Sequence, residues 1–538
     1  MKIHIRILIL SLAIVLAPLS AALATFPGKS IAHWDASISN ELQDPGYQKL
    51  HHLVDEKKYT EALDLLDQKI KSSPKEGTAV ILKGLLLNEM SRYKEALKFL
   101  KEGQNLQPRH PSLHYGYCQV YRNLGNGELS KRGCQIAVEQ HYQAPETHYE
   151  YAQTLSALGK MEQANRELKI AAGLDPKNPR YPFERGMIFY YLNQPGEAEK
   201  SFLKTLALDE THIDAAYQIA YLYAAQGKTG LAEPYLHRIL MIPQKHPKVE
   251  SAKRLLKYLH QDTPQKLPLK IEPHAYHLGR SQSLYQSGKY GLSLIEIQTA
   301  SRLKPDDLKT QEILIGLGSI LLRLDLTEQA LDRFIQLAGK DDTLKAKGYQ
   351  EMGDIRVIQG KLNEARQYYE KAKSLGDPGN LARISLKEFP SEEDSRPSPF
   401  NPKELFIKPT AALNRKGEIF AYYQMYDRAI AIYSMVIGMD PNFLESILNT
   451  ATAYYNKGNN GRAISILERL LVLHPNHKNI LAHRLLLAQA YAKNGDLADS
   501  LKSLEIIVKI NPSTKKLIQS NPVFNNLKDM EGYKNLIH

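Results

Sequence analysis

Tyr115, Tyr149, Phe183 and Tyr217 stand 34 residues apart. Four residues after each of them come Gln119, Gln153, Met187 and Tyr221, and seven residues after two of them come Arg122 and Tyr190. Rings give a large contact area with little rotamer entropy to lose, while amides and hydroxyls supply hydrogen bonds. Such groups repeating at one period suit an extended ligand with repeating units, either a glycan chain or an unfolded peptide. The competing reading is that the rings only pack against neighbouring helices, and the sequence leaves both open.

Other chemistry is sparse. There is no phosphate loop, nucleophile elbow or paired-cysteine metal motif. His274 and His277 lie close in sequence, as do His474, His477 and His483. Neither group has ligand spacing, so they read as solvated histidines, and no metal or cofactor is expected. No acidic pair for polysaccharide cleavage is singled out by the periodicity, so a non-enzymatic protein is expected. The formal charge is +12 over 538 residues. It is spread over pairs such as Lys57-Lys58, Lys131-Arg132 and Lys515-Lys516. A nucleic-acid reader gathers its charge in a patch or stripe, so nucleic acid is not expected as a partner. A solvated basic surface that favours anionic partners is.

The elements that must position the ladder are clearest in Pro145–Asn178. Ala152, Leu155, Leu158 and then Ala164, Leu168, Ala171 recur at helical spacing. Gly159-Lys160 interrupts the run, and Asp175-Pro176 ends it because proline cannot continue a helix. With Pro145 as position 1, small residues fall at 8 and 20. Steps of 34 put position 20 at Ala62, Ala96, Ser130, Ala164, Ala198 and Ala232, and position 8 at Leu50, Gly84, Cys118, Ala152, Gly186 and Ala220. On these residues the chain resembles tetratricopeptide-repeat proteins, where small residues at 8 and 20 let two antiparallel helices approach closely.

The resemblance implies an all-α fold, a right-handed α-solenoid of about twelve helix-turn-helix repeats, acting as a binding scaffold. It also implies that the first helix of each repeat lines the concave face, with positions 2, 5, 9 and 12 pointing inward. The ladder would then be a ligand groove. The carboxylate clamp of chaperone-binding members is not carried over, because positions 5 and 9 hold Tyr115, Gln119, Tyr149 and Gln153. Exported arrays of this kind resemble scaffolds of exopolysaccharide secretion and envelope assembly, with protein, peptide or polysaccharide partners. The alternative is an adaptor anchored in the inner membrane that recruits an envelope enzyme.

Lys2 and Arg6 precede the apolar run Ile7–Ala24, which contains Pro18 and ends Ala22-Leu23-Ala24. That pattern predicts a signal peptide over 1–24 and an exported, periplasmic or secreted chain. Membrane contact is then expected only through this segment or a partner. An exported chain beginning at Thr25 would bear this out, and one retaining Met1 would establish the anchored alternative.

An N-terminal extension over 25–42 follows. Six repeats and a closing helix occupy 43–262, and a proline-rich linker with a bend spans 263–273. A second block, 274–389, has position 20 at Ser293, Ala330 and Ala365, position 8 at Ser281, Gly318 and Gly353, and a closing helix. Residues 390–409 read as a linker or a loop laid over the array. A third block fills 410–513, with Ala429, Ala463 and Ser500 at position 20, and 514–538 form an amphipathic capping helix. Cys118 and Cys134 fall at positions 8 and 24 of one repeat. Since residue 8 should face residue 20, Cys134 sits a helical turn out of register. Two buried free thiols are favoured, with a disulfide as the alternative.

Overall fold

One residue per repeat turns the chain from its first helix to its second. Position 15 has positive φ in Lys57, Ser91, Gly125, Gly159, Asn193, Gly227, Gly288, Leu322, Gly360, Gln424, Gly458 and Gly495. Glycine adopts this left-handed backbone without penalty, and elsewhere the short turn imposes it. The computed structural model describes residues 45–537 apart from 141–143, 243–246, 262–266, 391–395, 403, 405, 407 and 476–478. The signal and N-terminal extension lie outside these.

The described residues form 28 α-helices and no strand. The first six repeats are α1 (Pro45–Asp55) with α2 (Tyr59–Ser72), α3 (Gly77–Glu89) with α4 (Tyr93–Leu106), α5 (Pro111–Asn123) with α6 (Gly127–Gln140), α7 (Pro145–Ala157) with α8 (Met161–Leu174), α9 (Arg180–Tyr191) with α10 (Pro195–Leu208), and α11 (Ile213–Ala225) with α12 (Thr229–Leu240). The closing helix is α13 (Pro247–Leu259), and α14 (Pro273–Gln286) with α15 (Tyr290–Leu303) form the seventh repeat. Beyond them lie α16 (Leu308–Ile320), α17 (Leu324–Leu337), α18 (Asp342–Ile358), α19 (Leu362–Ser374) and a second closing helix, α20 (Leu381–Lys387). The last three repeats are α21 (Pro409–Tyr422) with α22 (Tyr426–Met439), α23 (Leu444–Asn456) with α24 (Asn460–Leu473), and α25 (Ile480–Asn494) with α26 (Leu497–Ile510). The helices divide into two compact units, one ending at Leu314 and the other beginning at Ile315, so the boundary falls inside α16.

Within each repeat, positions 8 and 20 meet at the helix crossing. Ser130 donates to the Cys118 carbonyl and Ser500 to the Ala488 carbonyl, both at 2.8 Å. Position 24 then covers the same spot. A methyl added to Gly186 would lie 2.5 Å from the Phe202 ring, and one added to Gly353 would lie 2.5 Å from the Tyr369 ring. Helical side chains lean toward the N-terminus, so residue 24 reaches back over residue 20.

The same lean corrects the expectation of free thiols: Cys118 and Cys134 form a disulfide across a Cα separation of 4.6 Å. Gly133 permits the approach, since a Cβ there would sit 2.8 Å from the Cys118 nitrogen. The bond closes a loop with a sequence separation of 16. Replacing both cysteines by serine should therefore lower stability by about 3 kcal/mol in a urea titration. A loss under about 1 kcal/mol would mean the bond adds little constraint to the unfolded chain.

Two further expectations change. Position 20 of the eighth repeat is Thr327, not Ala330. Thr327 is fully buried, and the left-handed turn residue Leu322 precedes it by five positions, as in every other repeat. Position 8 is accordingly Ile315 rather than Gly318. The slack before Ala365 is taken up by α18, whose 17 residues make it about one turn longer than most first helices. The C-terminal cap is not a single helix. Pro522 breaks it into α27 (Lys515–Ser520), a 3₁₀ segment (Pro522–Leu527) and α28 (Glu531–Ile537). Ile518, Phe524, Leu527 and Tyr533 still close the last repeat's apolar face. The described part of 390–409 is laid over the array: Arg396 donates to the Tyr422 carbonyl at 2.9 Å, and Phe400 is buried.

Candidate functional site

The ladder residues lie on α5, α7, α9 and α11, and its two ends differ. In repeat three, Tyr115 and Gln119 are buried in contacts between repeats. Gln119 donates to the Tyr115 hydroxyl at 2.7 Å and accepts from Asn88 of repeat two at 3.2 Å. Burial pushes the Tyr115 phenol well above its ordinary pKa. Arg122 forms an ion pair with Glu150 of repeat four. Tyr149 lies under the Arg180 guanidinium at 4.6 Å and beside the Tyr181 ring at 5.7 Å. Burial raises its phenol to about 12. Gln153 is buried beside it in sequence. This end of the ladder is filled by the protein's own packing.

Repeats five and six are different. Phe183 sits 4.7 Å from His212 and 5.9 Å from Phe202, half-buried, with Met187 one turn along. Tyr217 carries the Lys248 ammonium 4.6 Å above its ring, and Lys248 is itself paired with Asp214 at 3.5 Å. Tyr190 and Tyr221 meet edge to face, with centroids 6.4 Å apart. Both of their hydroxyls donate to one main-chain carbonyl, that of Pro268, at 3.5 and 3.4 Å.

Pro268 belongs to the stretch expected to be a linker with a bend. Its described residues alternate: Leu267, Leu269 and Ile271 are half-buried, whereas Pro268, Lys270 and Glu272 are exposed. The backbone bends at Leu269 and Lys270, as the linker reading expected, so 267–272 is a short bent segment with alternate side chains half-buried. Leu267 and Ile271 pack against the apolar core that contains Tyr190, Ala216, Tyr223 and Leu255, as do Phe183, Met187, Tyr217 and Tyr221. The groove thus already holds a peptide, supplied by the same chain.

From there α14 and α15 run back along repeats five to three. Tyr276 meets Tyr191 edge-on at 5.0 Å. Arg280 pairs with Glu296 at 2.8 Å and with Glu184 of repeat five at 3.5 Å. Burial pulls the Arg280 guanidinium down, but Tyr276, Glu296 and Glu184 outweigh it and hold its pKa well above the ordinary value. Thr299 donates to the Ala157 carbonyl at 2.7 Å. Gly291 rests on the C-terminal turn of α5, where a methyl would lie 2.5 Å from the Arg122 carbonyl oxygen and closer still to that of Asn123. Leu292 and Ile295 pack on Ala157 and Leu158.

Pro268, Leu267, Ile271, Glu184, Arg280 and Glu296 were not singled out in the sequence, although the alternation over 267–271 was visible there. The histidines differ from expectation too: His277 and His483 are buried, not solvated. His277 lies 2.5 Å from Glu296, and His274 lies 2.7 Å from the Thr310 hydroxyl. His477 lies outside the described residues. No group of three or more metal-ligating side chains comes together among the described residues.

Comparison with known proteins agrees with the repeat frame. Residues 346–375 and 448–513 each match a tetratricopeptide-repeat family. Over 98 residues the chain is 34% identical to protein O-mannosyl-transferase TMTC1 of Mus musculus, which is 18% of this chain and 10% of that protein. The chain therefore spans a tenth of that curated relative. Among solved structures it is similar to YrrB, described as a TPR protein with an unusual peptide-binding site, at 21% identity over 35% of this chain and 97% of that one, with a TM-score of 0.32. It is also similar to MamA of Desulfovibrio magneticus (16% identity, 31% and 94% covered, TM-score 0.28) and to PilF of Pseudomonas aeruginosa (17%, 44% and 96%, TM-score 0.28). Tetratricopeptide repeats are thus matched over 346–375 and 448–513, and the described helices pair in the same helix-turn-helix manner. The chain is an α-solenoid, a scaffold suited to protein–protein interaction.

Proposed function

We propose that this protein is an exported, non-enzymatic scaffold of the cell envelope that holds protein partners by short peptide segments in the concave face of repeats five and six. The observation that carries this is the convergence of the Tyr190 and Tyr221 hydroxyls on the Pro268 carbonyl. Two donors aimed at one main-chain oxygen, flanked by apolar seats, suit a peptide backbone better than a glycan. Export is supported by the basic, apolar and A-x-A run at 1–24 and by the Cys118–Cys134 bond, a linkage that persists in oxidising compartments. A place in envelope assembly or exopolysaccharide secretion follows from the resemblance of such exported arrays, with any pore supplied by a separate partner.

The test is to replace Tyr190 and Tyr221 together by phenylalanine. Two hydrogen bonds at about 1 kcal/mol each correspond to a loss of affinity of roughly tenfold or more for a partner isolated from envelope extract. Leu203→Ser, on an exposed part of α10, should leave that affinity unchanged. With Leu267→Ser and Ile271→Ser added to both chains, so that residues 267–271 no longer compete for the same hydroxyls, equal binding with and without the two phenylalanines would contradict the proposal, as would a captured polysaccharide with no protein.

A further inference from the structure

We infer that residues 267–271 are a displaceable internal ligand. A partner gains the groove of repeats five and six by presenting a short segment of its own that follows the same bent course, with apolar residues at the places of Leu267 and Ile271. This rests on the function proposed above and adds what the groove reads and what guards it.

The reading frame comes from the resident segment. Leu267 and Ile271 pack on the apolar core that contains Tyr190, so positions 1 and 5 of a bound segment must be apolar, and half-buried Leu269 marks position 3. Pro268 and Lys270 point outward and are exposed, so positions 2 and 4 carry no side-chain requirement. Position 2 is read instead through its carbonyl, by Tyr190 and Tyr221. A backbone contact of this kind accepts any residue, which suits recognition of an unfolded protein segment by pattern rather than by one fixed sequence.

The hold on the resident segment is modest. Leu267, Leu269 and Ile271 are only half-buried, and the carbonyl contacts are long, at 3.4 and 3.5 Å. What keeps it in place is tethering: α13 precedes it by a few residues and α14 begins at Pro273. A short tether gives an effective concentration of about 1 mM, so the resident segment excludes weak partners and yields to strong ones.

The experiment uses the full chain and a fluorescent peptide of sequence LPLKIEP, matching residues 267–273. In the variant Leu267→Ser, Leu269→Ser, Ile271→Ser the tethered competitor is gone. Peptide affinity by fluorescence polarisation should then rise at least tenfold over wild type. Adding Tyr190→Phe and Tyr221→Phe should abolish that gain, and a peptide with its apolar residues made consecutive should not bind. Equal affinity in wild type and triple variant would overturn the inference, as would no binding to a triple variant whose circular dichroism and melting match wild type. If the triple variant does not fold, a chain carrying only Leu269→Cys is titrated with the peptide while alkylation of that cysteine is followed. Faster alkylation on binding shows displacement, and an unchanged rate at saturating peptide overturns it. A partner that depends on Tyr190 and Tyr221 yet leaves that rate unchanged would keep the proposed function and remove only the displacement.

Discussion

Asp354→Ala is expected to destabilise the C-terminal unit by about 3–5 kcal/mol, the range for removing one partner from a buried charge cluster. Asp354 is almost fully buried on α18. It accepts from Arg428 at 2.6 and 2.7 Å, from the Tyr369 hydroxyl at 2.8 Å, and lies 2.8 Å from the Lys416 ammonium. Arg428 and Lys416 are buried as well, so the variant leaves two cations without this counter-charge. The network joins α18 to α21 and α22, tying repeat nine to repeat ten across the closing helix. Burial pushes the Asp354 carboxyl up, yet Arg428 and Lys416 outweigh it and hold the pKa at about 2.

A depressed folded pKa contributes stability above the unfolded value of about 3.9, and that contribution is lost as pH falls from there toward 2. Its size is on the order of 2 kcal/mol. The wild-type advantage over Asp354→Ala in urea should therefore be full at pH 6 and shrink by that amount near pH 2. A constant difference across this window would mean that Asp354 acts through packing alone.

Gly291→Ala is expected to unseat α15. The added methyl falls against the carbonyl oxygens of Arg122 and Asn123, which are backbone atoms at the end of α5 and cannot swing aside. The helices must part, and the contacts that depend on their closeness go with them: Leu294 on Gly125, and Thr299 on the Ala157 carbonyl. Overpacking of this kind costs about 1–3 kcal/mol, to which the lost hydrogen bond adds about 1 kcal/mol. Hydrogen exchange should show residues 290–303 losing protection while α1–α4 keep theirs. Gly279→Ala on α14 is the control, because nothing lies within 4 Å of the added methyl. Alanine there should be neutral or slightly stabilising. Full protection of 290–303 in Gly291→Ala would contradict the seating of α15 on α5.

The helical array could be read from the sequence because its information is local. Small residues at position 20 and, in most pairs, at position 8 recur through the chain, and the first six pairs lie where the 34-residue frame puts them. The frame slipped at Ala330 because only small size was scored. Thr327, a β-branched residue, holds the crossing there, and its hydroxyl is satisfied by the Arg323 carbonyl at 2.9 Å. The disulfide was misjudged by treating side chains as perpendicular to the helix rather than leaning toward its N-terminus.

The return of α14 and α15 onto earlier repeats could not be read at all. Its contacts join Arg280 to Glu184 over 96 residues and Thr299 to Ala157 over 142, and such pairings leave no periodic trace. The candidate groove was half legible. The aromatic step falls on the first helices of repeats three to six, but the neighbours of each ring were invisible: Gln119 and Asn88 close in on Tyr115, and Pro268 lies at Tyr190 and Tyr221. The bend expected in 263–273 falls at Leu269 and Lys270, but nothing in the sequence tells that the Pro268 carbonyl meets the Tyr190 and Tyr221 hydroxyls.

The central claim is that the concave face of repeats five and six holds a peptide segment. It is tested most directly by a photo-crosslinking residue, p-benzoyl-phenylalanine, placed at position 221 in the full chain. The Tyr221 hydroxyl lies 3.4 Å from the Pro268 carbonyl, so irradiation of the protein alone should join position 221 to residues 267–271. Mass spectrometry of the digest reads this as one internal crosslinked peptide. Crosslinks that fall only within α9, α11 and α13, with none to 267–271, would contradict the account.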